Sequence, residues 1–222
     1  MKKTMRQLVT VLASLALALS ILTGCGSNKP TSEDAENYVK AVLDLMCTGD
    51  YDHSVQIADI GEGQESAVRD AILTDAMDTQ AKSDVSDKTR YRFREVLITT
   101  FEKCRYNVTG SEEDDKGEFD VVVSIEPLKL FDGMKESLDS ELSEVLADYG
   151  QVSSMSDREY NDTVYNTMIR LMQEKLESPA YADPETVTVH YGPVQSGDRN
   201  AYGISQEDAR GLGSLLFSTE GL

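Results

Sequence analysis

Apolar positions recur along this chain with two periods, and each change of period marks a change of element. Ala35, Tyr38, Val39, Val42, Leu45 and Met46 return at three- and four-residue steps, with Cys47 beside them. That spacing defines one face of an α-helix. Thr31 and Asp34 have the spacing of a capping box at its start, and Gly49 is placed to end it. Positions 51–63 read as irregular. A second helix is predicted over Glu65–Gln80, aligning Val68, Ile72 and Ala76. A third starts near Ser86 and aligns Phe93, Leu97, Phe101 and Cys104. None of these helices can bury its stripe alone, so they must pack on one another or on a sheet.

The period then falls to two. Tyr106 and Val108 alternate with polar neighbours, "SEEDDKG" (111–117) reads as a turn, and Phe119, Val121, Val123 and Ile125 alternate with polar positions. This is the pattern of a β-hairpin with one buried face. Pro127, which cannot donate to a ladder, closes it. A helical stripe follows through Phe131, Met134, Leu138, Leu142, Val145 and Tyr149, stopped by Gly150. Ser156 and Glu159 repeat the capping-box spacing ahead of a stripe of Val164, Met168, Leu171, Met172 and Leu176, which Pro179 ends. Val187, Val189 and Tyr191 alternate with Thr186, Thr188 and His190. "QSGDRN" (195–200) turns the chain, and 201–204 returns as a strand. Ser205 and Asp208 cap a last helix through Leu212, Leu215 and Leu216. The expected fold class is therefore α+β: a single domain with an antiparallel sheet of about four strands, in two hairpins, packed with amphipathic helices. A cone-like sheet wrapped by N-terminal helices, of the nuclear-transport-factor or cystatin type, is one way to build it and implies no activity.

The first 24 residues follow a different rule. Lys2, Lys3 and Arg6 precede an apolar run from Leu8 to Leu22, broken only by Thr10, Ser14 and Ser20. A run of about 15 residues is short for a membrane-spanning helix and has the layout of a signal segment. Leu22-Thr23-Gly24-Cys25 resembles the lipobox of bacterial lipoproteins. That resemblance implies a covalent diacylglycerol (palmitate-type chains) on Cys25, and cleavage just before it. The division expected is residues 1–24 as lipoprotein signal peptide, 25–32 as lipidated cysteine and tether, and 33–222 as the α+β domain. The six tether residues 26–31 span about 20 Å at full extension. The expected location is the extracytoplasmic side of a Gram-positive cell membrane, held there by the lipid.

Charge narrows the partners. The 222 residues carry 21 Lys+Arg against 40 Asp+Glu, a formal charge of −19. Removing the signal segment takes away three positive charges and leaves −22 on 198 residues. Nucleic-acid binding relies on basic side chains that neutralise phosphates, so no nucleic-acid partner is expected. The same charge keeps the body off an anionic lipid surface. The expected partners are the membrane, through the anchor alone, and an unidentified protein or small molecule.

Three stretches carry a second resemblance: "ENYVKAVLDLMCTGDYD" (36–52), "FEKCRYNVTGSEEDDKGEFDVVVSIEPLKLF" (101–131) and "ETVTVHYGPV" (185–194). They resemble an uncharacterised family of Firmicute lipoproteins, built on a domain of unknown function. Its pattern is a helix, Gly-Asp-Tyr, further helices, a Tyr-x-Val strand and a strand ending Pro-Leu-x-x-Phe. The resemblance spans most of residues 33–217. Its motifs are structural, and it implies no catalytic residue.

Candidate chemistry is sparse. The two histidines, His53 in a loop and His190 on the polar phase of a strand, form no local zinc cluster, and neither His-Glu-x-x-His nor Cys-x-x-Cys occurs. "EEDDKGEFD" (112–120) lacks the alternating ligands and closing glutamate of a calcium loop, and reads as a charged turn. No Gly-x-Ser-x-Gly elbow and no phosphate-binding loop is present; "GLGSLLF" (211–217) is a helix with glycines. Cys104 and His190 could pair only if Cys104 left its apolar face, where a thiol stays protonated. With Cys25 acylated, Cys47 and Cys104 read as buried free thiols, and spacing alone does not decide whether they pair. Forty acidic residues make any chosen carboxylate pair uninformative. The chain has no tryptophan, and its ten tyrosines read mostly as core or hairpin packing, with Tyr51, Tyr181 and Tyr202 best placed to reach a surface or cavity. No catalytic, cofactor-binding or metal-ligating residue is assigned, and no cofactor beyond the lipid. The functional expectation is a non-enzymatic, lipid-anchored binding or accessory domain. The alternatives are a carboxylate-based cell-wall hydrolase and a solute receptor of a transporter; receptors of the latter kind are generally larger and two-lobed.

Overall fold

The computed structural model describes residues 23–24, 29–52, 84–148, 155–196 and 199–218, with residues 55, 63, 65, 67, 69, 70 and 73 between them. The apolar leader through Leu22, Cys25, His53, Tyr149 and Gly150 lie outside the described residues, as do Val68, Ile72 and Ala76 of the expected second helix. Positions 65, 67, 69, 70 and 73 of that helix are helical.

The elements in chain order are β1 (Thr23–Gly24), α1 (Ser32–Cys47), α2 (Asp87–Phe101), β2 (Arg105–Glu113), β3 (Phe119–Glu126), α3 (Met134–Asp148), α4 (Asp157–Glu177), β4 (Glu185–Ser196), β5 (Arg199–Ile204) and α5 (Gln206–Leu215). The sheet is antiparallel, in the order β1-β5-β4-β3-β2. Its body is the expected four strands in two hairpins, and β1 adds two residues beside Tyr202 and Gly203.

Alternation in the strands becomes a two-faced sheet. Phe119, Val121, Val123 and Ile125 of β3 are buried, as are Val189 and Tyr191 of β4, while Asp120, Thr186, Thr188 and His190 are exposed on the opposite face. One covered and one solvated face is the usual state of an antiparallel sheet. Helix α1 lies across β2, β3, β4 and β5 and supplies the cover. Tyr38, Val39, Val42, Leu45 and Met46 are all buried. Behind α1, α2 packs on α4 and α4 on α3, with Phe93 and Tyr165 edge to face at 5.3 Å.

Four helices start on the residues that the sequence marks. Thr31 and Ser156 form complete capping boxes with Asp34 and Glu159. The side chains of Ser86 and Ser205 accept from Thr89 N and Asp208 N. Each bond satisfies an amide that the first helical turn leaves without a partner.

Three details differ from expectation. Strand β2 continues through Ser111 to Glu113, so the turn is shorter than "SEEDDKG". Asp114 closes it by accepting from the amides of Lys116 and Glu118 at 2.8 and 2.9 Å, with Gly117 at φ 81. Phe131 stands ahead of α3 rather than on it, yet is fully buried. It belongs to Pro127–Phe131, a segment tied on two sides. Leu128 N donates to Leu216 O, Ser218 N to Leu128 O, Lys129 N to Ala180 O and Ala182 N to Pro127 O, all at 2.8 to 3.0 Å. Strand β4 runs through Pro193, which lies beyond the last β3 pair (Phe119 with Tyr191), where β4 has a neighbour on one side only.

Candidate functional site

The C-terminal end of α1 collects most of the chemistry. Thr48 caps the helix and donates its amide to Asp44 O at 2.7 Å. Gly49 follows at φ 75, the left-handed conformation that suits glycine. Space requires glycine as well: a Cβ there would lie 2.8 Å from Arg69 Cδ. The Arg69 guanidinium is buried over the helix end, donating to Cys47 O at 2.8 Å, Thr48 O at 2.9 Å and Ile98 O at 3.2 Å. Two of those carbonyls belong to the negative end of the α1 dipole, so a cation is stabilising there. Glu102 Oε1 lies 3.7 Å from Arg69 Nη1 and provides partial neutralisation.

Beside this end lies an open hollow of about 390 Å³, lined by Lys40, Asp44, Cys104, Arg105, Tyr106, Asn107 and Val108. It sits where α1 meets β2, the strand at one edge of the sheet. Its charged groups are already engaged. Asp44 accepts from Lys40 Nζ at 2.5 Å through one oxygen and from Tyr106 Oη at 2.7 Å through the other. Burial, with Cys47 and Asp44 nearby, pushes the Tyr106 hydroxyl far above its ordinary range. Arg105 pairs with Glu126 across the hairpin at 3.0 Å, and its guanidinium stacks over the Tyr181 ring at 3.8 Å.

Two cysteines meet at this place. Cys47 is the last residue of α1 and is buried. Cys104 does not lie on α2, as its spacing from Phe101 suggests. The helix ends at Phe101 in tight turns, Lys103 N to Thr100 O and Cys104 N to Phe101 O, and Cys104 falls in the link to β2. It still faces the core side, half-buried at the hollow. Its thiol interacts with that of Cys47. This neighbour first, and burial second, push the Cys104 thiol well above its ordinary range, against the pull of Arg69. Both thiols are free.

His190 stands apart, on the solvated face of the sheet. Nδ1 lies 3.0 Å from Oδ1 of Asp120, its register partner on β3, and Nε2 lies 2.7 Å from Glu118 Oε2. Asp120 foremost raises its pKa, and Glu118 adds to this against the cost of burial. Cys104 and His190 are not brought together: Cys104 precedes the open end of the β2–β3 hairpin, whereas His190 of β4 stands beside Asp120, near the hairpin's turn, on the solvated face. Among the described residues no group of three His, Cys, Asp or Glu is arranged to hold a metal ion. Carboxyl groups with marked shifts are held low. Asp114 accepts the Glu118 and Lys116 amides, and Glu159 the Ser156 amide and hydroxyl. In Asp162 burial pushes upward but bonds from Ser86 and Thr89 outweigh it.

The tyrosines pack for the most part, as their core phases lead one to expect. Tyr51 is buried. Tyr181 is half-buried and donates to Lys103 O at 2.8 Å. Tyr202 leans on Tyr191 at 5.9 Å, which in turn meets Tyr38 at 5.1 Å. Burial, then Asp34 and Tyr202, push the Tyr191 hydroxyl up to about 12. Among the described residues Tyr91 on α2 is the large apolar residue most open to solvent. Sequence reasoning misses Arg69 and the hollow altogether. The local trace of the hollow is the i,i+4 pair Lys40–Asp44 on the polar side of α1.

No protein-family model and no curated protein matches the chain. Among solved structures it is similar to the crystal structure of ycdA from Bacillus subtilis, a protein described as a candidate lipoprotein. The TM-score is 0.53 at 15% identity, over 83% of this chain and 56% of the other, so the chain spans little more than half of that protein's length. A likeness of this degree speaks to the fold. Among the described residues no helix is long and apolar enough to cross a membrane.

Proposed function

We propose that the chain is a bacterial surface lipoprotein, acylated on Cys25, whose body is a non-enzymatic binding or accessory domain. The Leu22-Thr23-Gly24-Cys25 tetrad behind its basic and apolar leader carries this reading. The fold likeness to a candidate lipoprotein of Bacillus subtilis points the same way. Cleavage before Cys25 would remove β1 and leave a four-stranded sheet. The fold would then begin close to the lipid, because Lys29 already pairs with Glu113 of β2 at 2.6 Å and Thr31 caps α1. The non-enzymatic half rests on the inner sheet face. Apolar side chains of α1 fill the place where a curved α+β sheet would otherwise hold a substrate, and the charged groups of the hollow at β2 are engaged, Lys40 with Asp44, Asp44 with Tyr106 and Arg105 with Glu126.

The test is detergent phase partition of wild type and Cys25→Ala from a bacterial host fed labelled palmitate, with release of reducing ends from purified wall glycan measured on the same samples. Wild type is expected to carry label and enter the detergent phase, and Cys25→Ala to do neither. Neither protein is expected to release reducing ends above the buffer control. Equal partition of the two, or glycan cleavage, overturns the proposal.

A further inference from the structure

Cys47 and Cys104 lie 57 positions apart in the chain, and the fold sets their side chains against one another. They are not equivalent. Cys47 is enclosed at the end of α1, whereas Cys104 lines the open hollow beside β2 and keeps partial exposure. The Arg69 guanidinium donates to the Cys47 carbonyl and pulls on the Cys104 thiol from nearby, a cation beside the place where thiolate charge would develop, although Cys47 and burial outweigh it. One thiol reachable by a reagent, one resolving thiol behind it and a fixed cation form a dithiol site.

We propose that Cys47 and Cys104 form a disulfide in the native fold, made by exchange with a disulfide reagent that enters through the hollow. In the first step the Cys104 thiolate attacks one sulfur of the reagent. A Cys104–reagent mixed disulfide forms, the reagent's S–S bond breaks, and the departing thiolate takes up the proton that Cys104 lost. In the second step the Cys47 thiolate attacks Cys104 Sγ. The Cys47–Cys104 bond forms, the mixed disulfide breaks, and the second reagent thiolate takes up the proton from Cys47. Two protein thiols are oxidised and one reagent disulfide is reduced to two thiols. The upward shift of the Cys104 thiol makes the first step slow, so the hollow admits small disulfides over long exposures. The bond would tie the end of α1 to the start of β2 and close the loop that contains the 53–83 segment. This goes beyond the proposed function and does not depend on the anchor, because the chemistry is tested on the folded protein in vitro.

The test uses the full purified protein, fully reduced, then freed of reductant and incubated in its native state with oxidised glutathione. It is then alkylated under denaturing conditions without reductant and digested. The expected result is a linked pair of peptides containing Cys47 and Cys104, lighter than the sum of the reduced peptides by two hydrogen atoms, with alkylation lost at both positions. In Cys47→Ala the expected product is a persistent glutathione adduct on Cys104. Reducing the oxidised wild type is expected to lower its Tm by about 10 °C. Wild type alone decides the matter if Cys47→Ala does not fold. Full alkylation of both cysteines after incubation, links only between molecules, or a Tm unmoved by reduction of the linked protein each overturn the proposal.

Discussion

The two ends of α1 are built by different means. At its N-terminus, Thr31 and Asp34 satisfy each other's amides within four residues, and Lys29 reaches Glu113 over a solvent-exposed surface. At its C-terminus the last carbonyls are held by Arg69, a residue 22 positions beyond Cys47, and the space is shared with Cys104, Tyr106 and Ile98 from two other elements. One end is a local device that a short peptide could form. The other exists only once distant segments have come together. The difference predicts where the molecule is robust and where one substitution unravels it.

The sharpest break is Arg69→Met. It keeps the length of the side chain but strips the bonds to three carbonyls in a buried place. A loss of about 3 kcal/mol in unfolding free energy is expected from equilibrium denaturation. A loss below about 1 kcal/mol would mean that water replaces the guanidinium, and that the C-terminal end is as forgiving as the N-terminal one. Thr31→Ala probes that other end. Removing one cap side chain is expected to cost about 1 kcal/mol, with the sheet unchanged by circular dichroism. If Thr31→Ala cost as much as Arg69→Met, the contrast between local and assembled ends would fail.

The smallest effect belongs to His190, away from both ends. Its folded pKa is raised above the ordinary 6.5. Its contribution is therefore complete below about pH 6.5 and is lost as pH rises through the raised value. The ring is 46% exposed, so solvent screening holds the effect to a fraction of a kcal/mol. Denaturation midpoints of wild type are expected to fall slightly from pH 6 towards pH 8 relative to those of His190→Gln. A parallel dependence in the two proteins would show that Asp120 and Glu118 do not hold a cation.

The same contrast explains what could be read from the sequence. Four capped helices and both hairpins were legible because their signals are local: a capping hydroxyl, at three of the helices with a carboxylate three residues on, or a period of two. Pro127–Phe131 was recognisable as a motif, but its purpose was not, because Leu128 is held by Leu216 and Ser218 from the far end of the chain. Cys104 was misplaced for a related reason. Helical periodicity runs smoothly through Phe101 to Cys104, and only the tight turns at Lys103 and Cys104 show that the helix has already stopped. Arg69 carried no signal at all, since an arginine in a polar stretch looks the same whether it faces water or three carbonyls. The candidate site was therefore the least legible part, being made of residues from α1, the segment before α2 and the start of β2.

Everything proposed about location turns on Cys25. Intact-mass measurement of the protein isolated from membranes tests this most directly. The account predicts a chain beginning at Cys25 and carrying a diacylglycerol on its sulfur. A chain that retains residues 1–24, or one cut elsewhere with a free thiol at Cys25, would contradict it.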